Sequence, residues 1–214
     1  MRKFVFLFLL GASIASCGNK TETKKEPTTG NLKLRLKDSV ANGIAENQIN
    51  PYAVVDVSPM DMAYFPADYP KLKMANHSGG PPKARVIYSR PHLQGRHIFH
   101  EVLKHGEPWR LGANESTELE LFSDAIIQGK KISKGRYILY CIPQPDKWTI
   151  IINSNTDSWG LEPDKSKDVA KFDAPVTKTK NSLEYFTIIF ERTEKGANML
   201  MAWDDAEVRL PLEF

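Results

Sequence analysis

The stretch "WRLGANEST", Trp109 to Thr117, sets Arg110, Asn114 and Glu115 around a Gly-Ala pair, with neither helical nor strand periodicity of its own. Arg90 and Arg96 lie a short way upstream. An arginine fork suits bidentate binding of carboxylate or phosphate, and Glu115 can pair with one of the three guanidinium groups. Two roles fit this composition. One is a clamp on an anionic group, with Asn114 adding amide hydrogen bonds. The other is a polar knot that satisfies the backbone of an irregular segment lacking ladder partners. Gly112 and Ala113 permit close backbone approach, which favours the knot.

Other side chains offer chemistry with less pattern behind it. His92, His97, His100 and His105 cluster, and His97 and His100 stand one helical turn apart beside Glu101, a face that a divalent metal can use. "HIFHE" is not the His-Glu-x-x-His arrangement of zinc proteases, so exposed histidines on an amphipathic helix are the expected outcome, with no metal. Trp109, Trp148 and Trp159, with Tyr64, Tyr69 and Tyr88, can build an aromatic platform for sugar rings. Core packing is the commoner use of such residues, and Trp159, in a loop after "NTDS", is the best placed for contact. Acid-base catalysis needs paired carboxylates. Asp61, Asp68, Glu115, Asp157, Asp204 and Asp205 are available, but sequence does not say which converge. The nucleophile elbow, the Walker loop, the dinucleotide fingerprint and the Cys-x-x-Cys pair are all missing, so no cofactor is implied and catalysis is the minority reading.

These residues must be positioned by the elements around them. "ARVIYS" (84–89), "ELELF" (118–122), "RYILYCI" and "KWTIIIN" read as strands, the last two joined by the turn-like "PQPD". "YFTIIFE", "NMLMAW" and "AEVRLPL" close the chain. "ISKGRY" and "TEKGAN" carry glycine where hairpin turns want positive φ. The one convincing helix is "GRHIFHEVLKHG", with Ile98, Phe99, Val102 and Leu103 on one face and Gly106 as its stop. Pro59, Pro66 and Pro70 point to extended segments before it. The expected fold is all-β: an antiparallel β-sandwich with one short helix before Trp109–Thr117.

The start of the chain concerns location. Arg2 and Lys3 precede an apolar run, Phe4 to Leu10, too short to span a bilayer, and then small residues, the layout of a secretory signal. Ile14-Ala15-Ser16-Cys17 resembles the bacterial lipobox, in which the cysteine is lipidated and becomes the new N-terminus. Such a cysteine carries enough acyl chain to anchor stably. Gly18 follows it where aspartate would favour the inner membrane, so the outer membrane is expected. The division expected is 1–16 signal peptide, 17–50 lipidated cysteine and flexible tether, and 51–214 a single β-sandwich domain. Within the tether, Leu32, Leu34 and Leu36 alternate with charges as in an edge strand, and 40–49 is compatible with a weak helix.

Removing Arg2 and Lys3 takes the formal charge from +3 to +1, which leaves no basic stripe for nucleic acid. With Cys17 lipidated, Cys141 is the only remaining thiol of the two cysteines, so a disulfide framework is excluded. Cys141 lies in "YILYCIP", where a small buried hydrophobe is expected.

The run "ARVIYSRPHLQGRHIFHEVLKHGEPWRLGANESTELELF" is similar to bacterial exported proteins of the domain-of-unknown-function family 2911. The likeness is carried by Tyr88 to Pro91, Gly95, Arg96, Ile98, Phe99, Gly106, Trp109, Arg110, Gly112 to Glu115 and Thr117. Downstream it continues through Gly129, Gly135, Tyr137, Trp148, Asn153, Trp159 and Gly160, and it spans roughly Pro59 to the C-terminus. It implies a β-rich, often lipid-anchored domain without an established activity. This chain departs from the pattern with His100, Lys104 and His105, and with a charged "LEPDKSKDVAKF" in place of an aromatic-rich loop. The combined expectation is an outer-membrane-tethered, non-catalytic binding module for an anionic small molecule or glycan. Its expected ligand contacts are Arg90, Arg96, Trp109, Arg110, Asn114, Glu115 and Trp159. A glycan hydrolase using Glu115 and a structural envelope-assembly protein are the alternatives.

Overall fold

The structure, a computed structural model, describes residues 56–214 except Ser78, and for His100 only the backbone. The signal peptide, Cys17 and the tether with its leucine alternation lie outside the described residues. Ten strands occur in the described part: β1 (Met60–Phe65), β2 (Ala84–Ser89), β3 (Thr117–Leu121), β4 (Ala125–Ile127), β5 (Lys130–Ile132), β6 (Gly135–Pro143), β7 (Lys147–Asn153), β8 (Asp168–Pro175), β9 (Thr177–Arg192) and β10 (Gly196–Glu213). They form a six-stranded sheet, in the order β1-β2-β3-β6-β7-β8, and a four-stranded sheet, β5-β4-β10-β9. Every neighbouring pair is antiparallel. The fold is therefore mainly β, with two antiparallel sheets packed as a sandwich, as the alternation of "TELEL" and its neighbours implies.

The inner faces supply the core. Leu119, Leu139, Cys141, Trp148, Ile150, Ile152 and Phe172 come from the first sheet and Phe186, Ile188, Met199, Met201 and Trp203 from the second, all at most 4% exposed. Burial raises the pKa of the Cys141 thiol well above its ordinary value, in keeping with an inert core residue. At the centre, Trp109 meets Trp148 edge-on (5.7 Å between centroids), Phe186 (4.9 Å) and Trp203 (5.7 Å, near-stacked). Tyr88 ties the sheets together: its hydroxyl, on β2, accepts the Ile188 N–H of β9 at 2.9 Å. Burial pushes this phenol up to about 12, so it stays a neutral hydrogen-bonding group.

Several elements differ from the sequence reading. The helix expected over "GRHIFHEVLKHG" is a five-residue π-helical turn, Ile98–Val102, flanked by extended His97 and Leu103. Its apolar face is as expected: Ile98 is buried, with Phe99, Val102 and Leu103 packed on the core. Gly95 and Gly106, both at positive φ, bracket a stretch too short for helix propensity to propagate against tertiary packing. The proline-rich segment contains β1 and a helix, α1 (Tyr69–Met74). Pro70 lies in the first turn of α1, where a missing N–H costs nothing. The charged stretch expected as a loop becomes β8 from Asp168 onward, with Ala170, Phe172 and Ala174 buried on alternate positions. β4 and β5, three residues each, were not anticipated.

The strand β10 also bends. Eighteen extended residues span about 60 Å, yet the Phe214 N–H donates to Lys195 O at 3.1 Å. The strand therefore doubles back, and the "NMLMAW" and "AEVRLPL" segments are its two arms. The fold-back lies at Asp204, where φ is 52° and the register with β9 slips on both sides. Aspartate tolerates that left-handed conformation better than most residues. Gly196 has an ordinary φ, not the positive one expected. A Cβ there would lie 2.2 Å from Leu212 O, so glycine is needed for the close approach of the arms.

Candidate functional site

The Trp109–Thr117 segment is fixed by its uncharged members. Trp109 Nε1–H donates to Gly112 O at 3.0 Å, and the Thr117 hydroxyl to Leu111 O at 2.6 Å. The Asn114 amide donates to the Asp56 carboxylate and to Ser58 O. Leu111 and Asn114 both have positive φ, so the segment makes tight turns that these bonds hold. Gly112 packs against Ser89, where a Cβ would lie 3.1 Å from the Ser89 carbonyl oxygen. The fold-fixing knot exists, but it is built from side chains other than the expected Arg-Glu pair.

The three arginines do not converge on Glu115. Arg90 donates to Phe186 O (3.2 Å) and the Thr187 hydroxyl (3.0 Å), pairs with Asp61 (3.3 Å) and faces the Tyr185 ring. It satisfies part of the outer edge of β9, which among the described residues is flanked there only by the short His92–Tyr185 bridge. Arg96 is exposed and donates to Leu93 O and His92 O, fixing its own loop. Glu115 is exposed; its backbone N–H donates to Ala113 O at 2.8 Å, and its carboxylate makes no hydrogen bond or ion pair with the described residues. Trp109, expected among the ligand contacts, is 6% exposed and belongs to the core.

Of the expected ligand contacts, Arg110 and the Trp159 loop meet, while the Asn114 side chain is turned to Asp56 and Ser58. Arg110 reaches the Trp159 carbonyl oxygen at 3.5 Å, and the Ser116 hydroxyl donates to Ser158 O at 2.7 Å. Gly160, at φ 86°, fits tightly here: a Cβ would lie 2.4 Å from Ser116 Oγ and 3.0 Å from Arg110 Cβ. The backbone of the loop is thus pinned while the Trp159 side chain projects outward, with the residue 59% exposed and Leu161 beside it in sequence 67% exposed. Partial burial lowers the pKa of Arg110, and no carboxylate among the described residues pairs with it. Its guanidinium contact with the loop is to the Trp159 backbone carbonyl.

The histidines are dispersed. His92 stacks on Tyr185 at 5.3 Å and His105 on Phe99 at 4.7 Å, while His97 is exposed with Nδ1 3.8 Å from Asp204. Among the described residues no three His, Cys, Asp or Glu side chains converge as metal ligands.

A family model described as "Protein of unknown function (DUF2911)" matches residues 70–212. The chain belongs to the DUF2911 family. No curated protein and no solved structure matches it. The DUF2911 match takes in the Trp109–Thr117 knot, the Trp159 loop and the fold-back of β10, although it begins after β1 rather than at Pro59.

One further polar cluster in this DUF2911 domain underlies the Trp159 loop. Asp168 receives the Tyr140 hydroxyl at 2.9 Å, the Asn153 amide at 2.9 Å and Lys171 at 3.1 Å. Asn153 also donates to Asp164 O, so the cluster closes the base of the loop. Burial alone would raise the Asp168 pKa, but the bonds from Asn153, Lys171 and Tyr140 outweigh it and hold the group below its ordinary 3.8. A lowered folded-state pKa stabilises above the unfolded value and is lost as pH falls through the folded one. Asp168→Asn should therefore cost about 2 kcal/mol at pH 7. Its difference from wild type in urea denaturation should shrink below about pH 4. A difference that stays constant from pH 7 to pH 3 would mean that the carboxylate charge is irrelevant.

The fold-back of β10 was the part of the molecule least visible as a site. Asp204 and Asp205 stood only among the available carboxylates. The signal was their position: two adjacent aspartates inside an apolar β pattern are poor strand formers, and here they mark the bend.

Proposed function

We propose that this DUF2911 protein is an envelope lipoprotein, anchored through Cys17 at the outer membrane, whose domain binds an anionic glycan without transforming it. The observation that carries the binding role is the exposed Trp159 on a pinned loop, whose backbone carbonyl is reached by an Arg110 guanidinium without a carboxylate partner among the described residues. Sugar rings stack on an exposed indole, and a sulfate or uronate on the same glycan suits the arginine fork. Catalysis fits less well, because glycoside hydrolysis needs two facing carboxylates. The Glu115 carboxylate has no hydrogen-bonded partner among the described residues.

Binding to a panel of sulfated and uronic-acid glycans tests this reading. Trp159→Ala and Arg110→Met should each weaken capture at least tenfold, and Trp159→Ala should leave the melting temperature within about 1 °C of wild type, as for a surface side chain. Unchanged capture in both variants, or no capture by the wild type, would remove the proposal. For the anchor, Cys17→Ser should move the protein from the membrane fraction to the soluble fraction and abolish labelling by a palmitate analogue.

A further inference from the structure

At the opposite end of β7 from the Trp159 loop lies a cleft of about 200 Å³. It is assembled from four parts of the chain: the Ile98–Val102 turn, the turn between β6 and β7, the start of β9, and the β10 fold-back. It therefore exists only once both sheets and the bend are in place. Its volume is below the range of drug-sized pockets, so an occupant is a small molecule of about one ring.

Two groups in its wall have unused hydrogen-bonding capacity of opposite sense. Trp148, 0% exposed, forms part of the wall, and its Nε1–H is buried with no acceptor among the described residues. An indole nitrogen can only donate. Asp204, 8% exposed, accepts the Ser182 hydroxyl at 2.8 Å and the Ile98 N–H at a long 3.4 Å, which leaves carboxylate lone pairs open. Asp205 is neutralised by Lys178, both carboxylate oxygens lying 2.8 Å from Nζ, whereas Asp204 has no lysine or arginine partner among the described residues and only the exposed His97 beside it, with Nδ1 at 3.8 Å. Phe99, stacked on His105, adds a flat aromatic wall.

A ligand that completes this cleft must donate to Asp204 and accept from Trp148. A protonated amine donates only and leaves the indole N–H unpaired. A simple anion accepts only and meets the Asp204 charge. A hydroxyl does both, and a ring carrying several hydroxyls can do both at once while lying on Phe99. We infer that the cleft binds a neutral polyhydroxylated ring, the size of one sugar or cyclitol, independently of the Trp159 surface.

The test follows the assigned Trp148 indole N–H cross-peak of the folded domain in nitrogen-proton NMR. The probes are glucose, galactose, mannose, N-acetylglucosamine, myo-inositol, ethylamine and acetate. A saturable downfield shift with at least one of the five neutral rings is expected, at least tenfold weaker in Asp204→Asn, which keeps an acceptor for Ser182 and tolerates the left-handed backbone. Should that variant lose its native spectrum, Phe99→Leu replaces it, with the same expected weakening from loss of the stacking wall. The Trp159 cross-peak should not follow the Trp148 titration. Movement of the Trp148 peak by ethylamine or acetate alone overturns the ligand class, and a peak that no probe moves overturns the site. Neither result bears on glycan capture at Trp159, which the Trp159→Ala comparison reads separately.

Discussion

Gly196→Ala is expected to lower stability by about 3 kcal/mol, at the upper end for an overpacked core, or by about 10 °C in melting temperature for a domain of this size. The reason is that both partners in the clash are backbone. The added Cβ would meet Leu212 O at 2.2 Å and Glu213 Cα at 3.1 Å. No rotamer change can relieve those contacts, and separating the arms would strain the Phe214-to-Lys195 hydrogen bond and the pairing of Glu213 with Ile126 in β4. Gly129→Ala is the control. Gly129 has φ 78° and open space around it, so alanine there meets only the left-handed backbone penalty, about 1–2 kcal/mol. Equal losses at the two positions in thermal unfolding would mean that the arms of β10 do not approach as described.

Trp109→Ala should cost about 3–5 kcal/mol, as for a large aromatic removed from a packed core. Its ring contacts Trp148, Phe186 and Trp203, which come from both sheets, and its N–H holds Gly112 O. The variant should lose near-ultraviolet circular dichroism from the tryptophan cluster and unfold at markedly lower urea. Retention of wild-type stability would show that the cluster is not the centre of the core. By contrast Glu115→Gln, in the same nine-residue stretch, should leave the urea midpoint unchanged, since the carboxylate is exposed and unpaired among the described residues. The stretch that looks like a charged site is thus expected to show its largest effect at an apolar member.

How much of this was legible varies by residue. β2 and β7 occupy the bounds read from "ARVIYS" and "KWTIIIN", because alternate or continuous burial leaves a local pattern. β8 carried the same alternation, but its charged outward residues resemble a solvated loop when the strand beside it is unknown. The π-helical turn kept its apolar face and lost its helical length. Arg90, Arg96 and Arg110 are close in sequence but point to β9, to their own loop and to the Trp159 loop. Sequence proximity carries no information on direction once a strand end and a turn intervene.

The sequence by itself determined the periodicity of most strands, the apolar identity of the core, the close approach at Gly112 and the family to which the chain belongs. These follow from local chemistry, since a buried face must be apolar and a close approach must lack a Cβ. Only the tertiary structure decided which polar groups meet. Asp168 with Tyr140, Asp204 with Ile98 and Ser182, and Arg110 with the Trp159 loop are long-range encounters, set by sheet order and by the bend in β10. A carboxylate's role depends on what faces it, and its neighbours in sequence rarely face it.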